Sequence, residues 1–140
     1  QFAKHGVSVA QGWGMTETAP IGSISKVYSR QDGIPEHERY HQLAKAGFPV
    51  PGFEIRARSE DGLIPWDGKT MGELEVRGPW VAGEYYLHDD RKAFAGGWFD
   101  TGDVAFIDAE NTMQIVDRSK DVIKSGGEWT WRTRRWVIPA

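Results

Sequence analysis

The chain has 140 residues, of which 39% are hydrophobic and 26% are charged, and its formal net charge at pH 7 is −3. This length and composition are typical of a soluble globular domain or of a fragment of a larger protein. The slightly acidic balance gives no electrostatic reason to expect a nucleic acid as partner, and the absence of cysteine excludes a disulfide framework and a thiolate zinc site.

The first residues indicate that the sequence begins within a fold. There is no initiator methionine and no signal-peptide pattern, and Gly6 closes a segment that is typical of a helix end. No apolar run is long enough to span a bilayer, so we expect no integral membrane segment. A cysteine-free chain of this kind fits a cytoplasmic enzyme, and contact with the periphery of a membrane is left open.

Hydrophobic periodicity predicts a short helix followed by several short strands. Residues 7–10 alternate like a strand that enters the segment QGWGMTETAP at 11–20, and Pro35 begins a helix predicted to run to about Ala46. The further predicted strands are 53–58, 72–78, 81–87, 104–108 and 113–117, and Asp89 is predicted to cap a short helix that ends at Phe94. Short strands with Gly, Pro and Asp turns predict a β-rich α+β fold with a small antiparallel sheet or barrel.

A formal metal-site motif lies on the predicted helix. His37 and His41 flank Glu38 in the pattern H-E-x-x-H, which places two imidazoles on one face of a helix for zinc hydrolysis. The helix is polar, and no further histidine follows at close spacing. A solvated surface helix is therefore the favoured interpretation, with a zinc hydrolase as a distant alternative.

Two later segments carry groups that suit a nucleotide. In GGWFDTGD, residues 96–103, Asp103 follows Thr101 and Gly102 in a predicted tight loop, where its carboxylate could accept two hydrogen bonds from the vicinal diol of a ribose. Considered alone, this tripeptide is more often a simple turn. In DRSKDVIKSGG, residues 117–127, three basic side chains suit phosphate handling, although a solvated hairpin edge explains them as well.

Together, QGWGMTE, GWFDTGD and DRSKDVIKSGG resemble the adenylate-forming enzymes: acyl-CoA synthetases, luciferases and the adenylation domains of peptide synthetases. The finer pattern, which includes PWDGK, GELEVRGPWVAGEYY and KSGGEW, is most similar to medium- and long-chain fatty acid–CoA ligases. The resemblance extends to Trp129. It implies the end of an αβ subdomain at 1–47, a β-barrel subdomain at 48–117, and the hinge with the first hairpin of a small C-terminal domain at 118–140.

The resemblance also implies roles for the first glycine-containing segment. Gly12, Trp13 and Gly14 would lie along the adenine and acyl groups, Thr16 would contact phosphate, and Glu17 would help to hold Mg²⁺. A hard carboxylate oxygen suits Mg²⁺, which is commonly shared with substrate phosphates.

In the later segments the resemblance places Asp103 and Arg118 at the ribose hydroxyls. Lys120 would be the hinge between the two domains. Lys124, together with the Gly126–Gly127 turn, would belong to a loop that approaches during thioester formation.

The implied reaction uses ATP, Mg²⁺, a fatty acid and coenzyme A, and it passes through an acyl-adenylate. A ligase of the same superfamily that acts on an aryl or short-chain acid remains an alternative, as does a non-catalytic nucleotide-binding module. The family's phosphate-binding Ser/Thr loop and its adenylation lysine are expected outside this sequence, so we expect the chain alone to be inactive.

The last residues depart from the family pattern. After SGGEW the family continues into a helix that begins Asp-Leu-Glu-Asn, whereas this chain continues as WTWRTRRWVIPA. A back-translation of residues 129–139 with suitable synonyms encodes Asp-Leu-Glu-Asn when it is read two bases later. We therefore hypothesise that residues 130–140 are translated out of frame.

Overall fold

A computed structural model describes residues 2–26, 33–87 and 91–119, and it describes the strands at 123–125 and 128–130 by their backbone. Within these residues one α-helix, α1, spans Glu36–Leu43, and short 3₁₀ segments span Phe2–His5, Thr16–Thr18 and Arg91–Gly97. The strands are β1 (Gly12–Trp13), β2 (Ser23–Ile24), β3 (Phe48–Pro49), β4 (Glu54–Ser59), β5 (Gly62–Leu63), β6 (Gly72–Arg77), β7 (Phe99–Ile107), β8 (Met113–Arg118), β9 (Ile123–Ser125) and β10 (Glu128–Thr130). The predicted β-rich α+β class is confirmed.

The main sheet is antiparallel, with the strand order β5-β4-β6-β7-β8. Its core face follows from the period-two pattern of the sequence, since alternate side chains of a strand point to opposite faces. Ile55 and Ala57 on β4 are buried beside Leu74 and Val76 on β6, and Ile107 on β7 is also fully enclosed. Burying one such side chain contributes about 1.5–3 kcal/mol.

The opposite face of this sheet is polar and is organised around Trp98. The guanidinium carbons of Arg56 and Arg77 lie 4.1 Å and 4.5 Å from the Trp98 ring centroid. Arg56 also pairs with Glu75, and Arg77 pairs with Glu54 at 2.8 Å. This face is therefore solvated and charged, and the strands pack through one side.

In the described residues the sheet is open, because β5 and β8 are its edges and do not pair with each other. The predicted barrel is in this respect wrong. The hydrophobic face of this open sheet is covered by residues of neighbouring segments, among them Trp13, Tyr85 and Phe94.

A smaller antiparallel sheet, in the order β1-β2-β3, lies beside the main sheet. The two sheets are joined where the Gly47 N–H donates to the Met113 carbonyl at 3.1 Å and the Met113 N–H donates to the Gly47 carbonyl at 2.9 Å. Gly47 has φ +87°, and a Cβ there would lie 2.2 Å from the Ile24 carbonyl oxygen, so this junction requires glycine. The junction fixes the position of β1 relative to β7 and β8.

Several predicted elements are confirmed, and two are wrong. The helix after Pro35 and the strands near 53–58, 72–78, 104–108 and 113–117 are present, whereas 7–10 and 81–87 are not strands. Val7 and Val9 are exposed and have no partner strand in the described residues, and Leu87 has φ +58°, which ends extended backbone. Asp89 and the tail at 131–140 lie outside the described residues.

Across the described part of the chain, no helix combines the length and the apolar character that crossing a membrane requires.

Candidate functional site

The site begins at an irregularity in β7. Opposite Leu74 of β6, strand β7 contributes Thr101, Gly102 and Asp103, so it carries two residues more than regular pairing needs. Gly102 has φ +68°, which favours glycine. The Thr101 hydroxyl donates to the Leu74 carbonyl at 2.9 Å and accepts from the Asp103 N–H at 3.1 Å, so it replaces the ladder bonds that the bulge removes.

The tripeptide predicted as a tight loop is therefore a bulge inside a long strand. The strand can continue through the bulge to Ile107 because the Thr101 hydroxyl satisfies the Leu74 carbonyl and the Asp103 N–H. Bulges of this kind commonly redirect a side chain next to a site. Here the redirected side chain is the carboxylate of Asp103.

Asp103 is held by two donors, one from the neighbouring strand β8 and one 90 residues away in the chain. The Trp13 indole Nε1–H donates to Asp103 Oδ2 at 2.9 Å, and Arg118 Nε lies 2.8 Å from Asp103 Oδ1. The Asp103 side chain is only 6% exposed, so both donors offset the cost of removing a carboxylate from water. We call these three residues the Asp103 cluster.

Each partner in the Asp103 cluster is placed by a strand. Arg118 stands directly opposite Asp103 in the pairing of β7 with β8. Trp13 lies on β1, and its ring packs edge-on against Phe53, with centroids 6.4 Å apart. A Cβ at Gly22 would lie 2.7 Å from both aromatic rings, so glycine at that position lets them approach. The structure thus brings together three of the predicted site residues, and the ligand that each would contact stays a prediction.

The loop after β1 is held in a tight conformation. A Cβ at Gly14 would lie 1.8 Å from the Pro20 carbonyl oxygen, so the two backbone segments approach as closely as they can. Thr18 is fully buried, and its hydroxyl lies 3.0 Å from the Met15 carbonyl oxygen and 3.1 Å from that of Pro20. Thr18 is a structural residue of this loop that the sequence motif did not single out.

Glu17 lies on the 3₁₀ turn that follows, and it is fixed at two points. Its carbonyl accepts from the Ala82 N–H at 2.9 Å, and its Oε1 accepts from the Tyr85 hydroxyl at 2.8 Å. Thr16, on the same turn, is exposed. The contribution of Tyr85 was not predicted, because a contact over 68 residues leaves no trace in local periodicity.

The predicted residues of the last segment lie wholly or partly outside what the structure describes. Lys124 lies on β9, which pairs with β10 as a hairpin, and its side chain is outside the description. Lys120, Gly126 and Gly127 also lie outside the described residues. Their assigned roles stay predictions.

The H-E-x-x-H motif lies on α1, where His37 and His41 are exposed. Among the side chains that the structure describes, no group of three or more His, Asp or Glu residues could hold a metal ion. A solvated helix remains the interpretation of this motif.

Comparison with known proteins places this geometry in a family. The family model described as "AMP-binding enzyme" matches residues 1–86. A long-chain-fatty-acid–CoA ligase of Thermus thermophilus is 42% identical over 133 residues, with 92% of this chain and 25% of the relative aligned. A 3-methylmercaptopropionyl-CoA ligase of Ruegeria pomeroyi is 40% identical over 127 residues, with 90% of this chain and 24% of the relative aligned.

A solved structure extends the comparison to three dimensions. O-succinylbenzoate coenzyme A synthetase of Bacillus subtilis, in complex with ATP and magnesium ion, superimposes with a TM-score of 0.72 at 29% identity. The alignment covers 91% of this chain and 25% of that structure, so the chain spans about a quarter of the length of the relatives it matches. The chain belongs to the family of AMP-binding enzymes.

Proposed function

We propose that this chain is the part of an AMP-forming acid–thiol ligase that holds the nucleotide portion of ATP and of the acyl-adenylate. The observation that carries the proposal is the Asp103 cluster: a nearly buried carboxylate held by Trp13 of β1 and by Arg118 of β8. An ionised carboxylate has about four acceptor positions, of which these donors occupy one on each oxygen. The positions left over suit the two hydroxyls of a ribose.

The segment 12–17 would form the neighbouring part of the pocket. The small residues Gly12 and Gly14 allow a flat adenine or an acyl group to approach the backbone, and the Trp13 ring offers an apolar face. Thr16, whose side chain is exposed, is available for a phosphate oxygen.

Glu17 is the residue that would hold Mg²⁺. Its carboxylate is half-buried and oriented by the Tyr85 hydroxyl, and the described residues offer no cage of three or more ligands. One carboxylate together with substrate phosphates is the usual way in which Mg²⁺ is bound, so the residues present fit this ion. When bound, Mg²⁺ would offset the negative charge of the phosphates.

In the proposed reaction, the carboxylate of a fatty acid attacks the α-phosphate of ATP and releases pyrophosphate. The thiol of coenzyme A then attacks the acyl carbon of the adenylate and releases AMP. Neither step requires a nucleophile from the protein, so this chain contributes by positioning the reactants and by stabilising charge. The same proposal includes Lys120 as the hinge, and Lys124 with the Gly126–Gly127 turn as the loop of the second step. It also includes the division of the chain into three segments after residues 47 and 117.

The acid is proposed to be a medium- or long-chain fatty acid, on the basis of the finer sequence pattern and of the Thermus relative's name. An aryl acid is the alternative, which the superposition on an o-succinylbenzoate ligase favours. A panel of fatty, short-chain and aryl acids, assayed for pyrophosphate release by the protein that carries this sequence, separates the two.

Calorimetric titration with AMP tests the nucleotide site directly. Asp103→Asn keeps the shape of the side chain but removes its charge, and we expect AMP affinity to fall by at least about tenfold, because hydrogen bonds to charged groups contribute about 1.5–3 kcal/mol. Asp61→Asn, at an exposed turn, removes the same charge and should leave AMP affinity unchanged.

A deoxynucleotide assigns the contact to the ribose. The purified protein should bind 3′-deoxy-AMP more weakly than AMP, and Asp103→Asn should reduce that difference. Equal AMP affinities for the Asp103 and Asp61 variants would refute the assignment, and so would the absence of AMP binding by the unaltered protein.

A further inference from the structure

Tyr85 contacts the site, although the sequence pattern that contains it, GELEVRGPWVAGEYY, implied no role for it there. It lies between β6 and β7, and its hydroxyl donates to Glu17 Oε1 at 2.8 Å. A contact between side chains 68 residues apart forms only when the main sheet and the loop after β1 are both in place. The bond therefore depends on tertiary structure, and the position of Tyr85 decides where the Glu17 carboxylate lies.

The ring of Tyr85 is fixed by the aromatic core. It packs edge-on against Phe94, with centroids 5.3 Å apart, and against Phe99, with centroids 6.5 Å apart. Phe94 and Phe99 stack on each other at 4.9 Å, and Phe99 is buried at the start of β7. A ring with packed neighbours has few rotamers available, so the hydroxyl has a defined position.

The same segment holds the backbone of Glu17. The Ala82 N–H donates to the Glu17 carbonyl at 2.9 Å, three residues before Tyr85 in the chain. Backbone and side chain of Glu17 are therefore both fixed by residues 82–85. An exposed glutamate without such contacts would sample several rotamers, at an entropic cost of up to about 2 kcal/mol on ordering.

We infer that Tyr85 is a positioning residue for the divalent cation of the nucleotide complex, acting through Glu17. The Tyr85 hydroxyl occupies one acceptor position of the carboxylate and sets the direction of its second oxygen. Residues that orient a ligating carboxylate commonly change metal affinity by about 10–100-fold when they are removed. This inference rests on the proposed role of Glu17 in Mg²⁺ binding.

The test compares two nucleotides and two metal conditions in the purified protein. The readout is the ratio between the ATP dissociation constant in EDTA and that in saturating Mg²⁺, measured by calorimetry, with the metal-free AMP dissociation constant as a control. Tyr85→Phe removes only the hydroxyl, and we expect it to lower the ATP ratio by about tenfold while AMP affinity and Tm stay unchanged.

Tyr86→Phe is the matched control. Tyr86 is the next residue, and it is 87% exposed, so loss of its hydroxyl should leave the ATP ratio unchanged. Glu17→Gln should lower the ratio by itself, and adding Tyr85→Phe to Glu17→Gln should have no further effect, because Tyr85 acts through the carboxylate.

Each outcome decides the question. An unchanged ATP ratio in Tyr85→Phe overturns the inference while the nucleotide site stands. A loss of AMP affinity in parallel with Mg²⁺-ATP affinity, with a lower Tm, also overturns it and makes Tyr85 a purely structural residue. If the unaltered protein does not bind AMP, the proposed function fails, and the inference fails with it.

Discussion

Replacing Gly14 with alanine should destabilise the protein strongly, although it adds only one methyl group. The new Cβ would lie 1.8 Å from the Pro20 carbonyl oxygen and 2.8 Å from Ile21 Cα. The carbonyl would have to move by about 1.2 Å to reach the 3.0 Å at which real Cβ contacts begin. The neighbouring backbone cannot move freely, because the Gly22 N–H is bonded to the Trp13 carbonyl at 2.9 Å.

We expect a loss of about 3 kcal/mol in the free energy of unfolding, the upper end of the usual cost of overpacking, because the clash involves backbone. For a chain of this size that loss corresponds to a decrease in Tm of about 10 °C. Urea and thermal unfolding, followed by circular dichroism, measure both quantities.

Gly12→Ala provides the comparison within the same segment. A Cβ at Gly12 would lie 3.4 Å from Ile21 Cδ1 and from the Ser23 carbonyl oxygen, which is ordinary contact distance. We expect this variant to change the free energy of unfolding by less than about 1 kcal/mol in either direction, since alanine also restricts the unfolded chain. Equal unfolding midpoints for the two variants would refute the steric argument for Gly14.

Two further predictions concern the main sheet and an exposed loop. Leu74→Ala, at a fully buried position of β6, should lower the free energy of unfolding measured by urea denaturation by about 2.7–5 kcal/mol. Leu63→Ala is the control, because Leu63 is 60% exposed and its loss should change the free energy little. Similar losses in the two variants would contradict the assigned core. The pKa of Asp67 is lowered to about 2 by hydrogen bonds from the Thr70 N–H, the Thr70 hydroxyl and the Lys69 N–H. The stability linked to this carboxylate is therefore complete above its ordinary pKa of 3.8 and is lost as pH falls toward 2. Thr70→Val should raise the pKa of Asp67 part of the way to 3.8 in a carbon-detected NMR titration, and an unchanged pKa would show that the hydroxyl makes no contribution.

The hydrophobic periodicity of the sequence correctly predicted the strands that have one buried face and one solvated face. Strands β4 and β6 alternate strictly because one face is buried and the other carries the ion pairs around Trp98. The segment 7–10 also alternates, and 81–87 was predicted as a further strand. A strand requires a neighbour with free backbone groups, and the described residues supply none at either place. Periodicity indicates which side chains of a segment could be buried, but whether the segment forms a strand depends on a partner strand elsewhere in the chain.

The candidate site could be predicted only in part, for a similar reason. Asp103, Trp13 and Arg118 belong to recognisable motifs, and their meeting follows from the pairing of β7 with β8 and from the position of β1. Tyr85 lies in the pattern GELEVRGPWVAGEYY, but that pattern does not indicate which residue its hydroxyl contacts. The hydroxyl reaches Glu17 because the Tyr85 ring packs against Phe94 and Phe99. Contacts of this kind are decided by tertiary structure and not by local sequence.

The two extra residues at 101–103 preserve the phase of β7. Every odd-numbered residue from Phe99 to Ile107 is buried, on both sides of the bulge, because an even insertion leaves the inward and outward alternation intact. Deleting one residue there would turn Ala105 and Ile107 toward solvent. Deleting two would restore a regular ladder and keep the core face, and only the placement of the Asp103 carboxylate would be lost. The insertion of two residues thus lets β7 present a carboxylate without disturbing the hydrophobic face of the sheet. The sheet should tolerate the deletion of both extra residues better than the deletion of one.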